Sequence, residues 1–115
     1  MRRNRWMNAC VTRNTDAMKI LFLGDVMGRS GRAAITTHLP RLRSEWRLDF
    51  VVVNGENATS GMGLSGDHAK LLFEAGADVV TLGDHAFDQK DMLAFIEKEP
   101  RIIRPINYSK AAPGV

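Results

Sequence analysis

The chain has 115 residues, one cysteine and a formal charge of +3, which fits one domain of ordinary size and excludes a disulfide framework or a thiolate metal centre. All of the excess charge sits in residues 1–17, where Arg2, Arg3, Arg5 and Arg13 face Asp16; the rest carries 12 basic and 12 acidic residues. The body therefore has no basic bias, and stable nucleic-acid binding is not expected of it.

Residues 1–17 lack the apolar centre of a secretory signal and are short for a transit peptide, although arginine-rich and acid-poor. They read as a disordered leader, or as an early start with Met18 opening the true domain. No run approaches the ~20 apolar residues that cross a bilayer, and Cys10, the lone thiol, lies in the leader. A cytoplasmic location is the expectation.

From Met18 onward, hydrophobic runs alternate with amphipathic stretches. Lys19–Gly24 reads as a strand that is apolar on both faces, as in parallel sheets covered by helices. A glycine-rich turn then feeds a helix over 29–44, with Ala33, Ala34, Leu39 and Leu42 as its apolar stripe and Pro40 as a kink or an early end. Asp49–Val53 is the second strand. The turn Asn54–Gly66 carries four glycines and leads into a helix over 66–75, with Ser65-Gly66-Asp67 as its cap, Ala69, Leu71, Leu72 and Phe73 for the core, and Gly76 as its stop.

Asp78–Leu82 is the third strand and 88–98 the third helix, with Met92, Leu93, Phe95 and Ile96 apolar and Pro100 beyond its end. Ile102-Ile103 starts a fourth strand. This order predicts an α/β fold, a mostly parallel sheet of right-handed βαβ units. The last residues have turn composition with no terminal helix, so the chain reads as the first part of a larger domain.

Three strands end in a polar cluster: Asp25 after the first, Asn54-Gly55-Glu56-Asn57 after the second, Asp84-His85 after the third. In a parallel sheet these meet at the carboxyl edge, where ligands of open α/β sheets bind. Oxygen donors and one imidazole there suit metal-assisted hydrolysis. Asp25 could equally cap the next helix or act as a nucleophile, but no second acid follows it closely. Glu56 has two oxygens with which to bridge two cations, and Asn57 adds a neutral donor. His85 can donate a proton to a leaving alkoxide near neutral pH. Asp88 is a helix cap or a partner to this group.

His38 is carried about 13 Å along its helix from the strand end at ~1.5 Å per residue, and His68 reads as an exposed helical residue. Arg29 and Arg32, at a helix start, either contact a substrate phosphate or form a solvated face. The turn Gly24–Gly31 matches neither the dinucleotide nor the phosphate-loop pattern.

Taken together, LFLGDVMGRSGR, VVNGENATSGMGLS, TLGDHAFDQKD and IIRPINY resemble, in this order, the start of the YmdB-type metallophosphoesterases, a calcineurin-like group of 2′,3′-cyclic-nucleotide 2′-phosphodiesterases. The likeness spans residues 18–115. It implies the amino-terminal portion of an α/β/β/α sandwich with two metal ions, iron or manganese. It also implies Asp25 and Asn57 as ligands of the first metal, Glu56 as the bridge, Asp84 as a ligand of the second, and His85 as the proton donor. The implied substrate is a small phosphodiester or cyclic nucleotide.

Position 84 carries Asp where the family often has Asn, which implies tighter metal binding. The family completes its site with histidines from its second half, so this chain alone is expected to be incomplete and inactive. The alternatives are a phosphatase with Asp25 as nucleophile, or a non-catalytic nucleotide- or phosphate-binding remnant. Oligomeric state is not legible.

Overall fold

A computed structural model describes residues 17–115; apart from Ala17, the expected leader lies outside the described residues. The elements are β1 (Ile20–Leu23), α1 (Gly28–Glu45), β2 (Phe50–Asn54), α2 (Gly66–Ala75), β3 (Val79–Thr81), α3 (Met92–Phe95, continued by a 3-10 turn over Ile96–Lys98) and β4 (Ile102–Ile103). All neighbours pair in parallel, in the order β1-β2-β3-β4. The register sets Leu23 beside Val53, Val53 beside Val80, and Thr81 beside Ile103. The strand ends, with the polar clusters that follow them, are therefore level along one edge.

Stepping one strand at a time in one direction, with crossovers of one hand, places successive helices on the same face. Val51, Val53, Val80 and Ile102 point into that face and pack with Ile35, Leu39, Leu72, Met92 and Ile96 in one core. The opposite face has no helical cover among the described residues: Ile20 is 60% exposed and Phe22 61%. The expectation that β1 is buried on both faces is corrected accordingly.

In α1 the buried residues are Ile35 and Leu39, with Leu42 half-buried, a spacing of four and three that keeps them on one stripe. Ala33 and Ala34 face solvent, contrary to the sequence reading. Pro40 neither ends the helix nor shortens it. It lacks one N–H, but Leu39 before it is buried and Arg43 after it is bonded across to Asp78, so tertiary contacts hold both sides of the gap.

α2 begins at Ser65, whose hydroxyl accepts from the His68 N–H at 3.3 Å, and ends at Gly76 with φ of 122°. Its buried side includes Ala69, Leu72 and Ala75; Leu71 is exposed. The third helix is much shorter than expected. Residues 84–91 form turns, because Asp88, Gln89 and Asp91 spend their side chains on His85, the Met62 carbonyl and the Gly66 N–H. Leu93 is exposed.

At the amino edge of the sheet, Asp78 receives Arg43 at 2.6 and 3.3 Å and the Val51 N–H at 2.8 Å. Burial pushes the Asp78 carboxyl up, but these donors outweigh it and hold the group below its ordinary range. A depressed carboxylate stabilises the fold above its unfolded pKa and loses that contribution as pH falls through the folded value. Asp78→Ala should therefore cost about 1–3 kcal/mol at neutral pH, read from the urea midpoint. The gap to wild type should begin to narrow below about pH 4 and go on narrowing as pH falls; a gap that stays constant across this acid range would show that the charge is not its source.

Candidate functional site

β1 gives way to Gly24 and Asp25, and Asp25 has φ of 47°. This left-handed conformation is awkward for most side chains but tolerated by aspartate. It turns the chain so that Val26 N–H reaches the Asn54 carbonyl at 3.2 Å and Gly28 N–H the Asn57 carbonyl at 2.9 Å. The exits of β1 and β2 are thereby stitched together, and Asn57 Nδ2 donates to Asp25 Oδ1 at 2.9 Å. Asp25 does not cap α1: Met27 occupies the N-cap position, without a side-chain bond.

The β2 exit is anchored to β3 by Gly55 N–H on the Thr81 carbonyl at 2.9 Å. Glu56 then lies against Gly83. A Cβ at position 83 would stand 2.0 Å from Glu56 Oε2 and 2.5 Å from Oε1, so only glycine leaves room for this carboxylate. Asn54 Nδ2 sits 3.5 Å from Oε1, while Oε2 is buried and has no hydrogen-bond partner among the described residues.

The glycine-rich loop beyond Glu56 is fastened from three sides. Arg32 donates to the Ala58 carbonyl, Gln89 donates to the Met62 carbonyl at 2.7 Å, and Thr59 Oγ1 lies 2.7 Å from His68 Nδ1. Arg32 is thus engaged with the protein's own backbone. His68 is a loop fastener rather than an exposed helical residue, and burial lowers its pKa. Gly63, with φ of 83°, lets the loop touch the β3 exit, since a Cβ there would meet the His85 carbonyl at 2.9 Å.

The third exit runs Gly83-Asp84-His85. Ala86 N–H closes a turn on the Gly83 carbonyl at 3.1 Å, which lifts His85 off the strand end. His85 Nδ1 is 2.6 Å from Asp88 Oδ2, and Nε2 is 3.9 Å from Asp84 Oδ2. Of the two roles expected for Asp88, the partner role is the one found. The Asp88 hydrogen bond raises the His85 pKa, against desolvation and with help from the charges of Asp84, Asp88 and Glu56. With Nδ1–H turned to Asp88, Nε2 is the ring nitrogen free to exchange a proton with a ligand.

The five residues singled out from the sequence thus share one edge: Asp25 paired with Asn57, Glu56 under Gly83, and Asp84 beside His85. No three His, Cys, Asp or Glu side chains among the described residues converge as a ready metal-holding group. The donor chemistry nevertheless fits a cation. A buried carboxylate oxygen without a donor is expensive unless a positive charge meets it, and carboxylate and amide oxygens suit hard ions such as manganese.

The side chains that sequence reasoning missed are Asn54, Gln89 and Tyr108. Tyr108 donates to the Gly83 carbonyl at 2.9 Å, and its only signal was its place in the IIRPINY segment.

A shallow groove between α1 and α2, lined by Thr36, Pro40, Leu71, Glu74 and Ala75, belongs to the helical layer and does not reach the strand ends. Among the described residues no helix is long and apolar enough to cross a membrane.

Known proteins carry the same arrangement of sequence and fold. A Bacillus subtilis protein named 2′,3′-cyclic-nucleotide 2′-phosphodiesterase is 39% identical over 97 residues, covering 84% of this chain and 37% of its own length. The crystal structure of a Thermus thermophilus protein described as hypothetical superposes with a TM-score of 0.78 at 45% identity, covering 84% of this chain and 37% of that one. That of a Mycoplasma pneumoniae protein described as a novel phosphatase gives 0.75 at 41% identity, covering 82% and 34%. The chain therefore spans little more than a third of the length of these relatives. The sequence model of the YmdB-like protein family matches residues 21–115, and the chain belongs to that family.

Proposed function

We propose that this chain carries the amino-terminal part of a metal-dependent phosphodiesterase site, with a small phosphodiester, a 2′,3′-cyclic nucleotide foremost, as substrate. The observation that supports it most is the buried, partnerless Glu56 Oε2 against Gly83, on the same edge as the His85–Asp88 pair. Asp25, Glu56, Asn57 and Asp84 would hold two cations, iron or manganese. When bound, these supply Lewis acidity to the phosphoryl oxygens and a more acidic water.

The chain's own residues do the rest. Asn57 holds Asp25 in place at 2.9 Å. Asp88 keeps the imidazole oriented through Nδ1 and favours its protonated form. His85 then passes its Nε2 proton to the departing ester oxygen, which leaves as a neutral alcohol, and Asp88 stabilises the charged ring until that transfer. The raised His85 pKa, set first by the Asp88 hydrogen bond, favours the loaded form of this donor.

A non-catalytic binding role is favoured by one observation, the absence of a three-donor metal group among the described residues. Metal content separates the two, because such a remnant needs none.

Residues 18–115 grafted in place of the matching segment of the Bacillus subtilis relative should bind metal and hydrolyse 2′,3′-cyclic AMP. In that graft His85→Ala should lose about 10²–10⁴-fold in rate with metal retained, and Glu56→Gln should lose more, together with metal. A folded graft that binds metal yet hydrolyses nothing would sink the proposal, as would a Glu56→Gln graft that keeps both.

In the metal-free chain, Asp88→Asn should lower the His85 pKa, followed by the NMR shift of its Cε1–H across pH 5–9. An unmoved titration would remove Asp88 from the mechanism. Asp84→Asn should weaken manganese binding by the chain, measured by calorimetry; an unchanged affinity would argue against Asp84 as a ligand.

A further inference from the structure

The segment after β4 reaches back over the exit of β3. The Tyr108 hydroxyl donates to the Gly83 carbonyl at 2.9 Å and lies 3.3 Å from that of Asp84, and its ring leans on Phe87 with centroids 6.0 Å apart. The Gly83 carbonyl is also the acceptor for Ala86 N–H, at 3.1 Å, in the turn whose third residue is His85. At its Cα, the same glycine abuts the Glu56 carboxylate. Gly83 is therefore clamped between a carboxylate and a phenol.

The clamp has a firm base. Arg104 N–H reaches the Val115 carbonyl at 2.8 Å, and Tyr108 N–H that of Pro105 at 3.1 Å. Arg104 Nε reaches the Pro113 carbonyl at 3.1 Å.

We propose that Tyr108 is a positioning residue: its hydroxyl fixes the 83–86 turn and thereby sets His85 on Asp88 and places Asp84 and His85 relative to Glu56. Its functional consequence rests on the hydrolytic role proposed above. A phenol does this where an aliphatic residue cannot, because a single proton shared by two adjacent carbonyls fixes the direction of the peptide between them.

Tyr108→Phe removes the hydroxyl and keeps the ring. In the full chain, free of metal, amide exchange at Ala86 should quicken about tenfold, the scale of one net hydrogen bond, while the amides of α1 and α2 stay as in wild type. The downfield Nδ1–H proton signal of His85, the mark of its short bond to Asp88, should broaden or move upfield. An unchanged Ala86 rate and His85 signal would overturn the proposal. So would an equal acceleration across α1 and α2, which would make the hydroxyl a general stabiliser.

In the active graft, Tyr108→Phe should slow esters with alkyl leaving groups about tenfold, while p-nitrophenyl esters, which need no proton donor, change less than about twofold. Equal losses on both would overturn the link to His85. The exchange and NMR readouts need neither metal nor substrate, so failure of the hydrolytic role and failure of the positioning role are told apart.

Discussion

Glu56 keeps one carboxylate oxygen buried without a donor among the described residues. Such an oxygen costs on the order of 1–3 kcal/mol, so the surroundings must hold it there. They do so through backbone. Gly55 N–H is fixed to the Thr81 carbonyl, the parallel register sets β2 and β3 level, and Gly83 offers a surface with no side chain. Remove the register and the carboxylate swings into water; add a methyl group at position 83 and it is displaced. The site depends on this contact between the ends of two strands.

The loops around it are kept from collapsing or fraying by side chains that come from the helical layer. Arg32 from α1, His68 from α2 and Gln89 from the turns before α3 each take a group in the segment 58–62. The short α3 belongs to the same pattern: the turns over 84–91 point the side chains of Asp88, Gln89 and Asp91 at three different partners, and these tertiary bonds hold the segment out of a helix.

The strands and the edge they build were legible because a run such as Phe50–Val53 followed by Asn54-Gly55-Glu56-Asn57 changes from apolar to polar in one residue, and parallel pairing then forces the changes into line. The bare face of β1 was not legible. Ile20 and Phe22 are as apolar as Leu21 and Leu23, and only the single-sided placement of the helices separates them. Ala33 and Ala34 misled for a related reason: alanine favours a helix equally on either face, and the larger Ile35 claimed the core. The roles of His68 and Tyr108 depend on partners 9 and 25 residues away, and periodicity carries no information about such contacts.

Charge at the edge bears on which kind of ligand it can take. Although the body of the chain is neutral, Asp25, Glu56, Asp84 and Asp88 are gathered at one side of the sheet with His85 among them, and α1 begins there with no acidic residue in its first turn. Arg32, from α1, is spent on the Ala58 carbonyl. Asp88, Asp84 and Glu56 raise the proton affinity of the His85 imidazole, and all four carboxylates repel a phosphodiester anion. A bare edge of this kind is a poor phosphate-binding surface. Cations would reverse the sign of the local field, so under the proposed function the carboxylates that repel a phosphodiester alone would, once they held metal, favour its binding. A phosphate-binding remnant that works without metal is for that reason the weaker account of these residues.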